Sequence, residues 1–419
     1  MKNKKSINIF KRAAFVILSA VMLSSFVPLL CAGAADVTIN VYNWGEYIDQ
    51  NLLTQFEEEN PGIKVNYTTF DSNESMYSKI ISGAANYDIV VPSDYMISKM
   101  INEDLLAELD FDNIPNYKYI GDVYKNLAFD PDNKYSVPYF WGTTVIMYNS
   151  KYVSEDDVKD KSVNLLWNEK YSGKILMFDN PRDAFGIALK KLGYSMNSSN
   201  PSEWDEAAEE LKRQKPLVQA YVMDAIFDKM ESEEAYIAPY YAGDALTISD
   251  ENPDIKFYIP VDGSNMFFDS MCILKSSEHK TEAEKFINFM CDPQVSAVNS
   301  EEVGYATANT EALNYLDPEL TENKLIYPES DFLKNYTEVF KNLPAPIQAV
   351  ESQLWTNLKI ESSTDGGETA SGAGWIQIFC VVSLVLIVLF VILRGISNQR
   401  KKKLWRKPAD GKKEVYRQL

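Results

Sequence analysis

Two aromatic residues flank a carboxylate at the end of the first predicted strand. Val37, Ile39 and Val41 alternate with polar residues, a period typical of a β-strand, and Trp44–Tyr47 (Trp-Gly-Glu-Tyr) comes shortly after them. Ligands of open α/β sheets bind beyond the carboxyl ends of strands, and an indole and a phenol beside Glu46 suit an organic cation. Taken alone, the segment favours a packed turn with both rings in the core, because aromatic residues are more often buried than directed at a ligand.

A second strand end is expected beside the first one. The run Tyr87–Val91 is short and apolar, like a strand buried on both faces, and Ser93 follows it in a position to cap the next helix. Strands that alternate with short helices predict βαβ units and a mainly parallel sheet. Trp44–Tyr47 and Ser93–Tyr95 should therefore share one edge of a sheet, and this convergence favours a ligand-binding role.

The rest of the chain predicts a second α/β lobe and two crossings between the lobes. Lys134–Asn149 is aromatic and β-like and should form the first crossing, and Phe267–Leu274 should form the return. Between them, the strand Lys174–Phe178 leads to a helix that begins at Pro181, since proline is favoured in the first helical position. Tyr336–Ile360 closes the pattern with helical periodicity.

Composition argues against several classes of function. The 419 residues suffice for two lobes, and the single histidine, His279, argues against His-based catalysis and a multi-His metal site. Residues 1–35 hold 5 basic residues, and Arg394–Leu419 holds 10 basic and 2 acidic ones, which leaves 26 basic and 58 acidic residues between them. That net charge of −32 repels nucleic acid and attracts cations, although it also fits an ordinary soluble surface.

Both ends of the chain predict membrane targeting. Residues 1–34 resemble a signal peptide, in which basic residues precede the apolar run Ala13–Leu30 and small residues precede the cleavage site. Lipidation of Cys31 stays open, but we favour cleavage after Ala34, because a lipidation site requires a small residue just before the cysteine. The apolar residues 375–393 are long enough for a transmembrane helix. Residues 361–374 then form a flexible tether, and the basic residues 394–419 a cytoplasmic tail.

The predicted extracytoplasmic part contains two cysteines. Cys272 and Cys291 could form a disulfide, but each also fits a small apolar position in a strand or helix, and we favour the second interpretation. Whether the two pair stays open from the sequence alone. The chain shows no metal-ligand spacing of Cys or His.

Several short segments, each of them weak alone, are informative through their order and spacing. These segments are Tyr42–Tyr47, Ser72–Tyr77, Tyr87–Ser93, Val137–Thr143, Ala188–Tyr194 and Val303–Tyr305. With these segments, over roughly residues 37–360, the chain resembles the polyamine-binding proteins of ABC transporters.

The resemblance implies an α/β fold, the two-lobed type II periplasmic-binding-protein fold with mainly parallel sheets and a cleft between the lobes. We predict the first lobe over residues 35–141 and 269–310, and the second lobe over residues 142–268 and 311–360. With the predicted C-terminal transmembrane helix, the two lobes would stand on the extracytoplasmic face of the membrane.

The same resemblance implies a ligand site between the lobes, in which aromatic rings line a methylene chain and carboxylates hold its ammonium ends. Glu46, Asp183 and Asp269 would supply the charges, and Arg182 would orient one carboxylate. The residues carried over are Trp44, Glu46, Tyr47, Ser93, Tyr95, Asn180, Asp183, Tyr241, Phe267, Asp269 and Tyr305.

The chain departs from the family pattern at several of these positions. Gly45 replaces a hydroxyl residue, Asn180 stands where an aspartate is typical, and Tyr241 and Phe267 stand where tryptophans are often found. The family's last glutamine has no clear counterpart, and Lys341 falls near its place. Aromatic character is kept and one negative charge is lost, so the preference for a diamine or a triamine stays open.

We therefore predict a monomeric solute-binding protein that captures spermidine, putrescine or both and delivers them to an ABC permease, without catalysis and without a cofactor. An alternative is the same fold with another solute, such as thiamine or a ferric ion; an anionic phosphonate fits the aromatic and acidic set less well. A surface hydrolase is the third alternative, but the sequence shows no nucleophile elbow and no zinc motif.

Overall fold

A computed structural model of the chain describes residues 36–360, and residues 36–358 belong to one compact unit. Within the described residues, no helix is both long enough and apolar enough to cross a membrane. The predicted signal peptide, Cys31, the tether, the transmembrane helix at 375–393 and the basic tail all lie outside the described residues, so these predictions stay untested.

The first part of the chain folds into alternating strands and helices, as its periodicity predicts. The elements are β1 (Val37–Trp44), α1 (Gln50–Glu59), β2 (Ile63–Phe70), α2 (Asn73–Ile81), β3 (Ile89–Val90) and α3 (Asp94–Asn102). Strand β1 pairs in parallel with both β2 and β3, with Val41 opposite Ile89. The carboxyl ends of β1 and β3 therefore share one edge of the sheet, as predicted from the two strand ends.

Two long strands connect the two halves of the sheet. They are β4 (Ser136–Asn149) and β9 (Ser264–Ile273), which pair antiparallel from Ser136 opposite Cys272 to Thr143 opposite Met266. Beyond Thr143, β4 leaves β9 and pairs with strands of the second half. Strand β4 contributes hydrogen bonds to both halves, as expected for the first crossing, whereas β9 pairs with β3, with β4 and with Thr337–Glu338. The bounds of the two lobes stay a prediction.

The second half of the sheet repeats the α/β pattern. Its elements are α4 (Glu155–Val158), β5 (Ile175–Phe178), α5 (Pro181–Lys191), α6 (Pro201–Gln214), β6 (Val218–Val222), α7 (Ile226–Glu231), β7 (Ile237–Tyr241), α8 (Ala242–Glu251) and β8 (Ile255–Tyr258). Strand β5 is parallel to β6 and β7, whereas β7 and β8 are antiparallel to β4. The prediction of a mainly parallel sheet is thus wrong at the centre, because β4 and β9 run against their neighbours in order to serve both lobes.

The remaining residues pack around these lobes. They form α9 (Lys280–Met290), α10 (Pro293–Val303), β10 (Ala306–Thr307), α11 (Pro318–Thr321), α12 (Ser330–Tyr336), β11 (Thr337–Glu338) and α13 (Ala345–Ile360). Short 3-10 helices at Phe111–Asn113, Pro115–Tyr119, Asp122–Tyr124, Val163–Trp167, Glu169–Tyr171, Lys215–Leu217 and Ala312–Asn314 connect the longer elements.

The predicted helix over Tyr336–Ile360 is wrong in its first part. Thr337–Glu338 pairs with the beginning of β9, and the helix begins only at Ala345. Pro344 explains the late start, since the residue before a proline is disfavoured in the helical conformation. Pairing with β9 therefore places Thr337–Glu338 in a strand, although the apolar periodicity alone predicted a helix there.

Cys272 and Cys291 are both buried and both free, which confirms the interpretation as small apolar residues. Burial raises the pKa of the Cys291 thiol to about 12. The two cysteines therefore behave as core residues on β9 and at the end of α9.

Candidate functional site

A cavity lies between the two halves of the sheet, and its empty space, open solvent included, is about 590 Å³. Predicted site residues that line it are Trp44, Tyr47, Ser93, Tyr95, Asn180, Asp183, Tyr241, Phe267, Asp269 and Tyr305. The other lining residues are Gly45, Asp71, Asn73, Met223, Asp224, Tyr240, Asp244, Asn265 and Phe340.

Strand ends bring these side chains together. Trp44 ends β1, and Ser93 follows β3 and forms an isolated β-bridge with Asp269 on β9. Tyr241 ends β7, and Asp183 lies in the first turn of α5, directly after β5. Trp44 and Ser93 meet because β1 and β3 are parallel, and Asp183 and Tyr241 meet because β5 and β7 are parallel. The antiparallel strand β9 brings Asp269 to Ser93.

Asp269 is the carboxylate of the first-lobe wall, and both of its oxygens are engaged. The Tyr47 hydroxyl donates to Oδ2 at 2.6 Å, and the Ser93 hydroxyl donates to Oδ1 at 2.6 Å. Burial raises the pKa of Asp269 to about 6, although these two donors lower it in part. Ser93 occupies the predicted cap position of α3, but its hydroxyl serves Asp269 and makes no cap hydrogen bond.

Asp183 is the innermost carboxylate of the second-lobe wall. Asn180 Nδ2 donates to Oδ2 at 2.6 Å, and the Tyr241 hydroxyl donates to the same oxygen at 3.0 Å. Oδ1 is buried and has no hydrogen-bond partner among the described residues. Burial raises the pKa of Asp183 to about 7. Asn180 also caps α5 through its Oδ1 atom, so its amide positions Asp183 as well as lining the cavity.

Sequence reasoning missed three further acidic residues of the cavity, Asp71, Asp224 and Asp244. The Tyr305 hydroxyl donates to Asp244 at 2.7 Å, and burial raises the pKa of Asp244 to about 8. The Tyr240 hydroxyl donates to Asp224 at 3.3 Å, and burial together with nearby acids also raises the pKa of Asp224. Asp244 follows strand β7, so the strand-end rule that selected Trp44 could have found it.

Aromatic rings form the walls between the acids. Tyr47 and Tyr305 meet edge to face with centroids 4.9 Å apart, and Tyr241 and Phe267 meet in the same way at 5.3 Å. A Cβ atom at Gly243 would lie 2.2 Å from the Tyr305 ring, so only glycine lets this ring approach α8. Such walls suit methylene groups, and the ring faces attract cations.

Two sequence expectations about the site need correction. Glu46 does not line the cavity: it is exposed, in a turn where its φ angle is 42°. Arg182 bonds to the Met196 carbonyl and to Asn197, and its guanidinium lies 4.2 Å from the Phe340 ring centroid, so it ties the chain around α5 together instead of orienting a carboxylate. Phe340, and not its neighbour Lys341, faces the cavity.

The described lining of the cavity is acidic. Asp71, Asp183, Asp224, Asp244 and Asp269 line it, and the described lining includes no lysine or arginine. Asp183, Asp244 and Asp269 have raised pKa values, with burial as the first cause. A buried carboxylate without a cation is unfavourable, so this arrangement favours a ligand that brings positive charge.

Comparison with known proteins agrees with this geometry. Residues 51–328 match the family described as bacterial extracellular solute-binding protein. The chain is 37% identical to the spermidine/putrescine-binding periplasmic protein of Escherichia coli, over 71% of this chain and 85% of that protein. It is 30% identical to the putrescine-binding periplasmic protein SpuD of Pseudomonas aeruginosa, over 82% and 97% of the two chains.

Solved structures show the same relationship. A putative spermidine/putrescine ABC transporter protein from Listeria monocytogenes superposes with a TM-score of 0.73 and 42% identity, covering 77% of this chain and 99% of that chain. The spermidine/putrescine substrate-binding protein PotD of Streptococcus pneumoniae superposes with a TM-score of 0.66 and 40% identity, with the same coverage. With its two-lobed α/β fold and the match over residues 51–328, the chain belongs to the family of bacterial extracellular solute-binding proteins.

Proposed function

We propose that this protein captures a polyamine, spermidine or putrescine or both, in the cavity between its lobes and delivers it to an ABC permease. The observation that carries the proposal is the set of five aspartates around one aromatic-walled cavity with no basic residue in its described lining. The relatives named for spermidine and putrescine support the same ligand class.

The chemistry of a polyamine matches each part of this site. Its ammonium groups need carboxylates or several oxygen acceptors when they leave water, and Asp183, Asp244 and Asp269 provide these. Its methylene groups need apolar walls, which Phe267 and Tyr305 provide. The arrangement binds and orients a ligand, and the proposal includes no catalytic step.

The remaining predictions about the cellular setting belong to the same proposal. A signal peptide would export the chain, the apolar residues 375–393 would anchor it with its tail in the cytoplasm, and the lobes would act as a monomer beside a membrane permease. The acidic character of the middle part of the chain supports attraction of a cationic solute to this face.

Isothermal titration calorimetry of the purified full-length chain tests the proposal. We expect saturable binding of spermidine or putrescine with a stoichiometry of one, whereas cadaverine and spermine measure the tolerated length. Thiamine and ferric ion are the competing ligands to titrate in parallel. Saturable binding of one of those without any polyamine binding at millimolar concentration would contradict the proposal.

A further inference from the structure

Gly45 and Asp224 face each other across the cavity. Gly45 follows β1 in the first lobe, and Asp224 follows β6 in the second. A Cβ atom built on Gly45 would lie only 2.5 Å from Oδ2 of Asp224. Glycine at position 45 therefore lets the Asp224 carboxylate approach the backbone at the end of β1, and a side chain there would displace that carboxylate.

The Asp224 carboxylate has an incomplete set of partners for an ionised group. The Tyr240 hydroxyl donates to Oδ1, at 3.3 Å. Its charged neighbours are acidic: Asp71 and Glu46 raise the pKa of Asp224, after the larger effect of burial. Asp224 is itself an exposed residue, as are Asp71 and Glu46, so this end of the cavity is its mouth.

The carboxylates of the cavity differ in exposure: Asp224 is exposed at the mouth, Asp244 is partly buried, and Asp183 and Asp269 are buried. After the larger effect of burial, Asp224 and Asp269 raise the pKa of Asp244, and Glu74 and Asp269 raise the pKa of Asp183. The buried Oδ1 atom of Asp183 has no partner among the described residues and leaves an acceptor for a donor in the cavity. A ligand that satisfies these carboxylates needs positive charge both inside the cavity and at its mouth.

We propose that Asp224 is a specificity residue, which holds the outer ammonium group of a polyamine beside Gly45 and thereby favours a triamine over a diamine. The inference rests on the proposed polyamine function and adds the acceptor for the third charge. A diamine held at the inner carboxylates would leave Asp224 without a cation. A triamine would place its third ammonium group at the mouth of the cavity. There Asp224 of the second lobe would accept it, since Gly45 has no side chain to do so.

Titration of the purified full-length chain with spermidine and with putrescine tests the role of Asp224. In Asp224→Asn we expect spermidine to bind about tenfold more weakly, the effect of losing a hydrogen bond between charged groups, with a change of less than about threefold for putrescine. Asp228→Asn is the matched control, because Asp228 is an exposed acid of α7 in the same lobe and outside the cavity. Its affinities for both ligands should stay unchanged.

A double-mutant cycle tests the match between positions 45 and 224. Gly45→Ser should weaken spermidine binding in the wild-type background, because the new Cβ displaces the Asp224 carboxylate. In the Asp224→Ala background the same change should cost clearly less, since no side-chain oxygen remains for the new Cβ to displace. Additive effects of the two substitutions would overturn the proposed coupling.

The possible failures of the two proposals are distinguishable. A wild-type chain that binds neither polyamine would contradict the proposed function itself. A wild-type chain that binds both, with an unchanged ratio of their affinities in Asp224→Asn, would overturn only the role of Asp224. An equal loss for both ligands, repeated in Asp228→Asn, would show a general effect of charge and would overturn it as well.

Discussion

The two walls of the cavity hold their carboxylates in different ways. On the first-lobe wall, Tyr47 and Ser93 donate to the two separate oxygens of Asp269, whose pKa is about 6. On the second-lobe wall, both donors to Asp183 reach the same oxygen, the other oxygen is unpartnered among the described residues, and the pKa is about 7. The first wall is therefore complete without a ligand, whereas the second wall still requires a donor.

This difference assigns separate tasks to the two lobes. A carboxylate that is already hydrogen-bonded by its own lobe is preorganised for an incoming cation and loses little freedom when the cation binds. A buried carboxylate oxygen without a partner gains most when the ligand binds, because the ligand supplies the hydrogen-bond donor that this oxygen lacks. Binding free energy should therefore favour the state in which the second lobe closes over a ligand on the first.

Replacement of Asp183 should produce the largest effect of the substitutions that test this difference. In Asp183→Asn we expect polyamine affinity to fall about 100-fold, because an ammonium group loses its buried carboxylate. The ligand-free protein should become more stable, because a buried acid with a raised pKa is removed. Calorimetry and thermal unfolding measure both effects.

Asp205→Asn is the control for this substitution. Asp205 is exposed on α6 in the same lobe, so affinity and stability should both stay near their wild-type values. Equal losses of affinity in the two variants would show that Asp183 acts only through the net charge of the lobe.

The pH dependence should be the next largest effect. An ammonium ion lowers the pKa of a neighbouring carboxyl group, so binding should release protons from Asp183 and Asp244, whose pKa values are about 7 and about 8. Affinity should therefore rise by about tenfold or more between about pH 6 and pH 8, since each pKa unit corresponds to a factor of ten. Titration in buffers of different ionisation enthalpy counts the released protons, and an affinity independent of pH would contradict the raised pKa values.

The stability of the ligand-free protein should change in the opposite direction. Both groups have folded-state pKa values above the ordinary value of 3.8, so between about pH 4 and pH 8 the folded state binds more protons than the unfolded state. Their contribution to the free energy of unfolding must therefore fall as pH rises through this window. A saturating polyamine should reduce this fall, and the gain in melting temperature on binding should be larger at pH 8 than at pH 6.

Loss of a donor on the first-lobe wall should have a moderate effect. Ser93→Ala removes the hydrogen bond to Oδ1 of Asp269, and we expect about three- to tenfold weaker binding, the effect of one hydrogen bond to a charged group. The pKa of Asp269 should rise, so the loss should be larger at low pH. Ser98→Ala, on the same helix and outside the cavity, is the control. If both variants bind like wild type, the first wall is not preorganised by Ser93.

Removal of a first-lobe ring should have the smallest effect. Trp44 is only half-buried and packs on Phe70 with centroids 4.6 Å apart, so Trp44→Ala should leave the fold intact. We expect about three- to tenfold weaker polyamine binding from the loss of a cation–π contact. Tyr315→Ala, an exposed aromatic residue outside the cavity, is the control. Unchanged affinity in Trp44→Ala would instead favour the interpretation of Trp44–Tyr47 as a packed turn.

Local patterns predicted much of the fold because they depend on near neighbours in the chain. The alternation at Val37–Val41 and the proline at position 181 lie where the structure has a strand and a helix start. Sequence reasoning failed where a distant strand decided the outcome. Thr337–Glu338 pairs with β9, and β4 runs antiparallel to its neighbours, and neither contact has a local signature.

The sequence predicted the types of residue that form the site, but it did not predict every residue that lines the cavity. The family resemblance and the strand-end rule selected ten residues that line the cavity, among them Asp183 and Asp269. They did not select Asp224 or Asp244, and they included Glu46, whose side chain faces solvent. A turn with a positive φ angle at Glu46 removes that carboxylate from the cavity, and sequence spacing alone does not indicate such a turn.

By itself, the sequence determined the elements, the wealth of aromatic and acidic residues, and the strand ends at which they accumulate, since each follows from residue type and short-range spacing. Only the tertiary structure decided which acids share the cavity, that Asp224 fills the space beside Gly45, and that the Asp183 carboxyl has a pKa of about 7. These properties depend on burial and on charges brought together from distant segments. Desolvation and electrostatic repulsion act through space and do not follow the order of residues in the chain.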